Sequence, residues 1–222
     1  MHAFCVQSSR DVSRDIFIVL LFTESMRQQI KGEIAMKTKQ AVGLVQMALM
    51  AAISVVLVYF VRIPLIPAAT FLVYDMADVP ILLGTLMLGI VPGLLILLVV
   101  SLIQAFLLST DGWVGLLMHL VATGTLVVVV GLFHYQRHTW TKTIIGMVCG
   151  TLAMTAVMTA MNILITPWYQ GYPLKVVIDL LIPVFIPFNL LKGGINSLLT
   201  VLLLRALTPI MKKNPHLFPV RF

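Results

Sequence analysis

Between Val42 and Leu207 the chain is almost one continuous apolar run, broken only by short polar or Pro/Gly segments. No other feature constrains it more. Of the 222 residues, 60% are hydrophobic and only 10% charged, where a soluble domain runs about 45–50% apolar and about 25% charged. A core of this size cannot hide such an excess. A soluble globular fold and a disordered chain are both excluded, which leaves an all-α polytopic membrane protein. Each crossing of a roughly 30 Å hydrocarbon layer takes about 20 helical residues. There is room for six transmembrane helices and for no separate catalytic domain.

The spans read as Val42–Val61, a short second helix from Asp78, then Leu94–Leu108, Val114–Phe133, Thr143–Ile165 and Val177–Leu207. Asp78 followed by Pro80 reads as a helix start, the carboxylate capping free N–H groups. Gly89 to Gly93 separates the second and third spans, and His134 to Lys142 reads as a polar loop. Pro167 to Pro173 reads as an outer loop holding Trp168, Tyr169 and Tyr172. Pro183 and Pro187 interrupt the last span. Eight Lys and Arg (Lys37, Lys39, Arg137, Lys142, Arg205, Lys212, Lys213 and Arg221) fall on one side of this arrangement, against Arg62 and Lys175 on the other. Cytoplasmic loops carry such an excess, so both termini are expected in the cytoplasm. The protein is expected in the cell membrane, multi-pass. The same rule accounts for the net charge of +7, and no basic stripe outside the spans points to nucleic acid.

Three regions are expected: residues 1–35 as a leader, 36–213 as the six-helix substrate-binding domain, and 214–222 as a cytoplasmic tail. The leader holds eight charged residues around one apolar run, Ile16–Phe22, too short to span. It reads as a cytoplasmic amphipathic arm or as an upstream extension of a chain starting at Met36. The second reading is favoured, and poor order is expected in either case.

No phosphate-binding Gly-rich loop ends in Lys-Ser/Thr, so the chain does not hydrolyse nucleotide itself. His134 and His138 are four apart, but no Glu follows His134 and the pair lies at a membrane edge. No metal site is read there, and Cys5 and Cys149 suggest neither a disulfide framework nor a metal site. His119 reads as a packing histidine. With no catalytic constellation in the spans, the chain is not read as an enzyme.

Polar residues inside spans are costly and normally face a bundle interior or cavity. Asn189, Lys192 and Asn196 fall at i, i+3 and i+7 on one face of the last helix. Thr151, Thr155, Thr159, Asn162 and Thr166 make a stripe on the fifth, where the threonines also suit plain helix–helix hydrogen bonding. Lys192 lies too far from either end to snorkel, with no carboxylate inside a span to pair with it. Ala48 and Ala52 form a small-xxx-small pair suited to close helix approach, either within the bundle or with a partner.

Pro187-Phe-Asn-Leu-Leu-Lys-Gly193, Asn162 and Tyr74-Asp-Met-Ala-Asp-Val-Pro80 resemble the substrate-binding S component of energy-coupling factor (ECF) vitamin transporters, and among these the riboflavin-specific members. The resemblance covers Met36 to about Lys213; the leader has no counterpart in it. It implies a six-helix vitamin-binding protein that docks on a transmembrane coupling subunit carrying two cytoplasmic ATPases. It assigns Asn162, Asn189 and Lys192 to the flavin, and Ala48 and Ala52 to the coupling subunit. No cofactor is implied; riboflavin is the transported substrate. An S component for another vitamin, or an ion-driven secondary transporter of a small molecule, are the alternatives, though no repeated halves of the kind such carriers show are evident.

Overall fold

The computed structural model describes residues 2–66, 72–108, 112–136 and 139–214. It is all-helical apart from one two-residue β ladder. In chain order the elements are α1 (His2–Phe60), β1 (Ile63–Pro64), β2 (Val73–Tyr74), α2 (Asp78–Leu88), α3 (Ile90–Ile103), α4 (Gly112–Gln136), α5 (Trp140–Gln170), α6 (Leu174–Leu180) and α7 (Ile186–Lys213). Wider π-helical turns extend α3 through Gln104–Leu108 and join α6 to α7 through Leu181–Phe185. The strands pair antiparallel, Ile63 opposite Tyr74 and Pro64 opposite Val73.

The chain forms two units, residues 1–44 and 45–222. The first is helical, and Glu24, Arg27, Lys31 and Glu33 are exposed on it. All that follows concerns the second.

Among the described residues, five helical stretches are apolar and long enough to cross a membrane: Gln40–Phe60, Ile90–Leu107, Gly112–Tyr135, Trp140–Gln170 and Leu174–Lys213. The remaining apolar helix, α2, has 11 residues, about 16 Å at 1.5 Å per residue, roughly half the hydrocarbon layer. Gly89 ends it. Its φ of 111° suits glycine, and its N–H still bonds the Thr85 carbonyl at 2.9 Å. α3 then packs back along α2, with Gly84 and Gly93 against Ile96 and Thr85. The core gathers Val58 of α1, Ile81 and Leu82 of α2, Ile96 and Val100 of α3, Leu126 and Val130 of α4, Met154 of α5 and Leu204 of α7.

Three boundaries differ from the reading of the sequence. The loop between α4 and α5 is shorter, because α4 runs on to Gln136 and α5 starts at Trp140; Arg137 and His138 lie outside the described residues. α5 continues through Pro167 to Gln170 and stops at Gly171, whose φ of 70° is left-handed. The helix therefore absorbs Trp168 and Tyr169, which had been read as loop. Pro183 and Pro187 do not open a gap in the last span. The first sits in the wider turn, a place where helices take up irregularity, and the second in the first turn of α7, where no N–H is needed.

Candidate functional site

The segment from Val73 to Asp78 lies against α7, and four hydrogen bonds fasten it there. Lys192 Nζ donates to Asp75 Oδ2 at 2.9 Å. One turn further along α7, Asn196 Nδ2 donates to Asp78 Oδ2 at 3.0 Å and to the Asp75 carbonyl at 3.3 Å. Its Oδ1 accepts the Tyr74 hydroxyl at 2.7 Å. The i, i+3, i+7 spacing on α7 thus sets Asn189, Lys192 and Asn196 along one buried face.

Asp78 is fully buried and differs from the capping role expected of it. The helix cap is Ala77, with no side-chain bond, and the Ala77 N–H is taken by Asp75 Oδ1 at 3.1 Å. The Asp78 carboxylate turns inward instead, where Thr123 of α4 donates to Oδ1 at 2.8 Å and His119 Nε2 lies 3.2 Å from the same atom. A carboxylate only accepts, so His119 Nε2 carries the proton. Its Nδ1 lies 2.9 Å from Ser101 Oγ. His119 thus links α2, α3 and α4. Burial, then the charges of Asp75 and Asp78, push the Tyr74 phenol from its ordinary 10.0 up to about 12. It therefore stays protonated and donating at neutral pH.

Asp75, His119, Asn189 and Lys192 line one cavity of about 180 Å³, together with Ser101, Gln104 and Thr123 and with apolar side chains including Met154, Met158 and Phe188. Asn189 Nδ2 donates to the Phe185 carbonyl at 2.8 Å, in the turn before α7. Asn162 lines a neighbouring cavity of about 90 Å³ with Thr166 and Tyr169. Leu72, Gly115 and Met118 border both cavities. Of the expected site residues, the structure therefore puts Asn189 and Lys192 in one chamber and Asn162 in the adjoining one. Asn162 Nδ2 bonds the Met158 carbonyl at 2.8 Å and its Oδ1 accepts Thr166 Oγ1 at 3.1 Å.

The threonines of α5 divide. Thr155 and Thr159 bond carbonyls one turn back on their own helix, while Thr151 reaches Ser197 Oγ of α7 at 3.3 Å. At that crossing a Cβ on Gly193 would sit 2.8 Å from Thr151 Cγ2, so glycine sets how closely α7 and α5 approach. Ala48 and Ala52 are both exposed on α1.

The spans themselves offered Lys192 no carboxylate; its partner is Asp75, in the segment just before α2. Sequence reasoning read Asp78 as a helix cap and gave neither it nor Asp75 a role toward Lys192. The signal was charge balance, since a lysine in a span implies a compensating acid. Asp111 lies outside the described residues.

Residues 43–204 match the family described as ECF transporter, substrate-specific component. The chain belongs to that family. It is an all-helical, multi-pass membrane protein and a transporter component, not an enzyme. Relatives of the S component include the riboflavin transporter RibU of Streptococcus thermophilus, 33% identical over 77% of this chain and 84% of its own length. RibU of Staphylococcus aureus is 28% identical over 83% of this chain and its full length. A solved structure described as the S component of a bacterial ECF transporter superposes with a TM-score of 0.69 at 29% identity, covering 78% of this chain and 99% of the other.

Proposed function

We propose that this chain is the riboflavin-binding S component of an ECF transporter, capturing the vitamin in the chamber of Asn189 and Lys192. The observation that carries the reading is a buried amide and ammonium lining one cavity that also holds apolar side chains, in a chain whose relatives are riboflavin transporters. Riboflavin is a flat tricycle edged by carbonyls and a ring N–H, with a polyhydroxylated tail. An amide supplies both donor and acceptor to an imide edge, and an ammonium gives a charge-assisted donor to a carbonyl. One Lys192 proton goes to Asp75, and two remain for a ligand. Asn162, in the adjoining cavity, extends the same polar surface along a ligand longer than one chamber.

The chain crosses the membrane six times in this reading, through α1, α2, α3, α4, α5 and the joined α6–α7, with both termini cytoplasmic. Uptake then runs through a transmembrane coupling subunit bearing two cytoplasmic ATPases, because this chain has no nucleotide-binding motif. The exposure of Ala48 and Ala52 on α1 supports them as the contact with that subunit. No cofactor is needed.

The test is the visible absorption spectrum of the purified protein, followed by flavin titration. A co-purifying yellow flavin and saturable quenching of its fluorescence are expected. Binding of a different vitamin, with no flavin effect, would replace riboflavin while leaving the family intact. ATP-independent accumulation by vesicles containing this chain alone would favour an ion-driven carrier.

A further inference from the structure

A lone ammonium in a poorly solvated cavity is a site for anions. Lys192 is not alone. Asp75 Oδ2 stands 2.9 Å from its Nζ, and Asn196 joins Asp75 to a second carboxylate by bonding both the Asp75 carbonyl and Asp78 Oδ2. Among the described residues, the remaining titratable groups here are Tyr74 and His119. Tyr74 donates its hydroxyl to Asn196. His119 contacts Asp78 and Ser101. The ammonium is thus already paired with a carboxylate, a second carboxylate stands in the same cluster, and the chamber offers hydrogen-bond donors without a net positive field.

We infer that Asp75 is a specificity-determining residue: by neutralising Lys192 it makes the site accept an uncharged, carbonyl-bearing ring and reject the phosphate ester of the same molecule. The inference rests on the riboflavin reading. Lys192 keeps two protons for a neutral acceptor, so capture of riboflavin does not need a free cation. A phosphate carries about two negative charges at neutral pH. Brought into the bundle at the far end of the tail, it finds no net positive charge to offset its lost hydration, because the ammonium is already paired with Asp75.

The experiment is fluorescence titration of the purified full chain with riboflavin and with its terminal phosphate ester, reading the ratio of the two affinities. General damage from a substitution lowers both affinities and leaves that ratio alone. Wild type is expected to bind riboflavin roughly tenfold or more tighter than the ester. Asp75→Asn should narrow that ratio by about tenfold, and Asp75→Glu, which keeps the charge, should hold it near wild type. If the Asn variant does not fold, Asp75→Ser carries the same charge test. Equal affinities in wild type, or an unchanged ratio in the neutral variants, overturn the inference while riboflavin binding stands. Failure of wild type to bind riboflavin overturns the functional reading instead.

Discussion

Lys192 Nζ donates to Asp75 Oδ2 at 2.9 Å across 117 positions of the chain, and this pair explains how a lysine sits in the last span. Both side chains are nearly buried, at 12% and 6% exposure. In apolar surroundings an ion that loses its partner costs more than the pair contributed. The bond also ties the segment before α2 to α7, so the group that faces the ligand and the group that orders the chamber wall are the same.

Lys192→Ala should weaken riboflavin binding by roughly ten- to a hundredfold, the loss of one hydrogen bond to a charged group. Removing a charge from a span favours insertion, but in the folded protein it strands Asp75, at about 3–5 kcal/mol. The single variant should therefore melt well below wild type. Adding Asp75→Asn should recover much of the stability and none of the affinity. Equal melting of the single and double variants would remove the ion pair from this account.

Tyr74 supplies a pH signature. Its pKa is raised from 10.0 to about 12, so the folded protein holds this proton where the unfolded chain releases it. Stability from this group is complete below about pH 10 and is lost as pH rises toward about 12. Tyr74→Phe should flatten that part of the melting profile and, by leaving Asn196 Oδ1 without its donor, lower stability at neutral pH by about 1–3 kcal/mol. Thermal melts across the alkaline range measure both effects; parallel profiles for the two proteins would refute the assignment.

The orientation is open to labelling. A cysteine at Gly171, exposed at the end of α5, should react with an impermeant reagent from outside, and one at Thr139, exposed before α5, should not. The test needs a background without Cys5 and Cys149. Labelling of Thr139 from outside intact cells would invert the topology.

Ala48 and Ala52 are exposed, so a bulky side chain there clashes with nothing in the second unit. Ala48→Trp or Ala52→Trp should leave flavin affinity unchanged and reduce uptake by a membrane that also holds the coupling subunit and ATPases. Normal uptake with both substitutions would move the docking surface elsewhere.

The five longer helical stretches were legible because each is an apolar run long enough to cross lipid, and the α7 face because helical periodicity puts Asn189, Lys192 and Asn196 in line. Their partners were not. Asp78 stands next to Val79-Pro80 and so carries every local sign of a cap; only the packing of α4 and α7 against α2 supplies His119, Thr123 and Asn196 as better partners for its carboxylate. Pro167 likewise reads as a stop, because local chemistry does not register that Gly171, four residues later, offers the left-handed turn that ends the helix. The pairing of Asp75 with Lys192 depends on how a short outer segment lies on a helix more than a hundred positions away. No local pattern encodes that.

Gly193, one residue after Lys192, makes a prediction that couples packing to the site. An added Cβ would lie 2.8 Å from Thr151 Cγ2 and 3.3 Å from its Oγ1, inside ordinary contact. Gly193→Ala should push α7 away from α5 at a cost of about 1–3 kcal/mol, as overpacking of a close contact does. Because Asn189 and Lys192 ride on the same helix, flavin affinity should fall along with melting temperature. Thr151→Ser removes the offending Cγ2 and keeps the hydroxyl that meets Ser197. By itself it should leave affinity near wild type, since Thr151 is not among the residues around the Lys192 chamber. Combined with Gly193→Ala it should restore both stability and binding. Melting and flavin titration of the four proteins decide the matter: a double variant no better than Gly193→Ala would show that this contact does not set the spacing of α5 and α7.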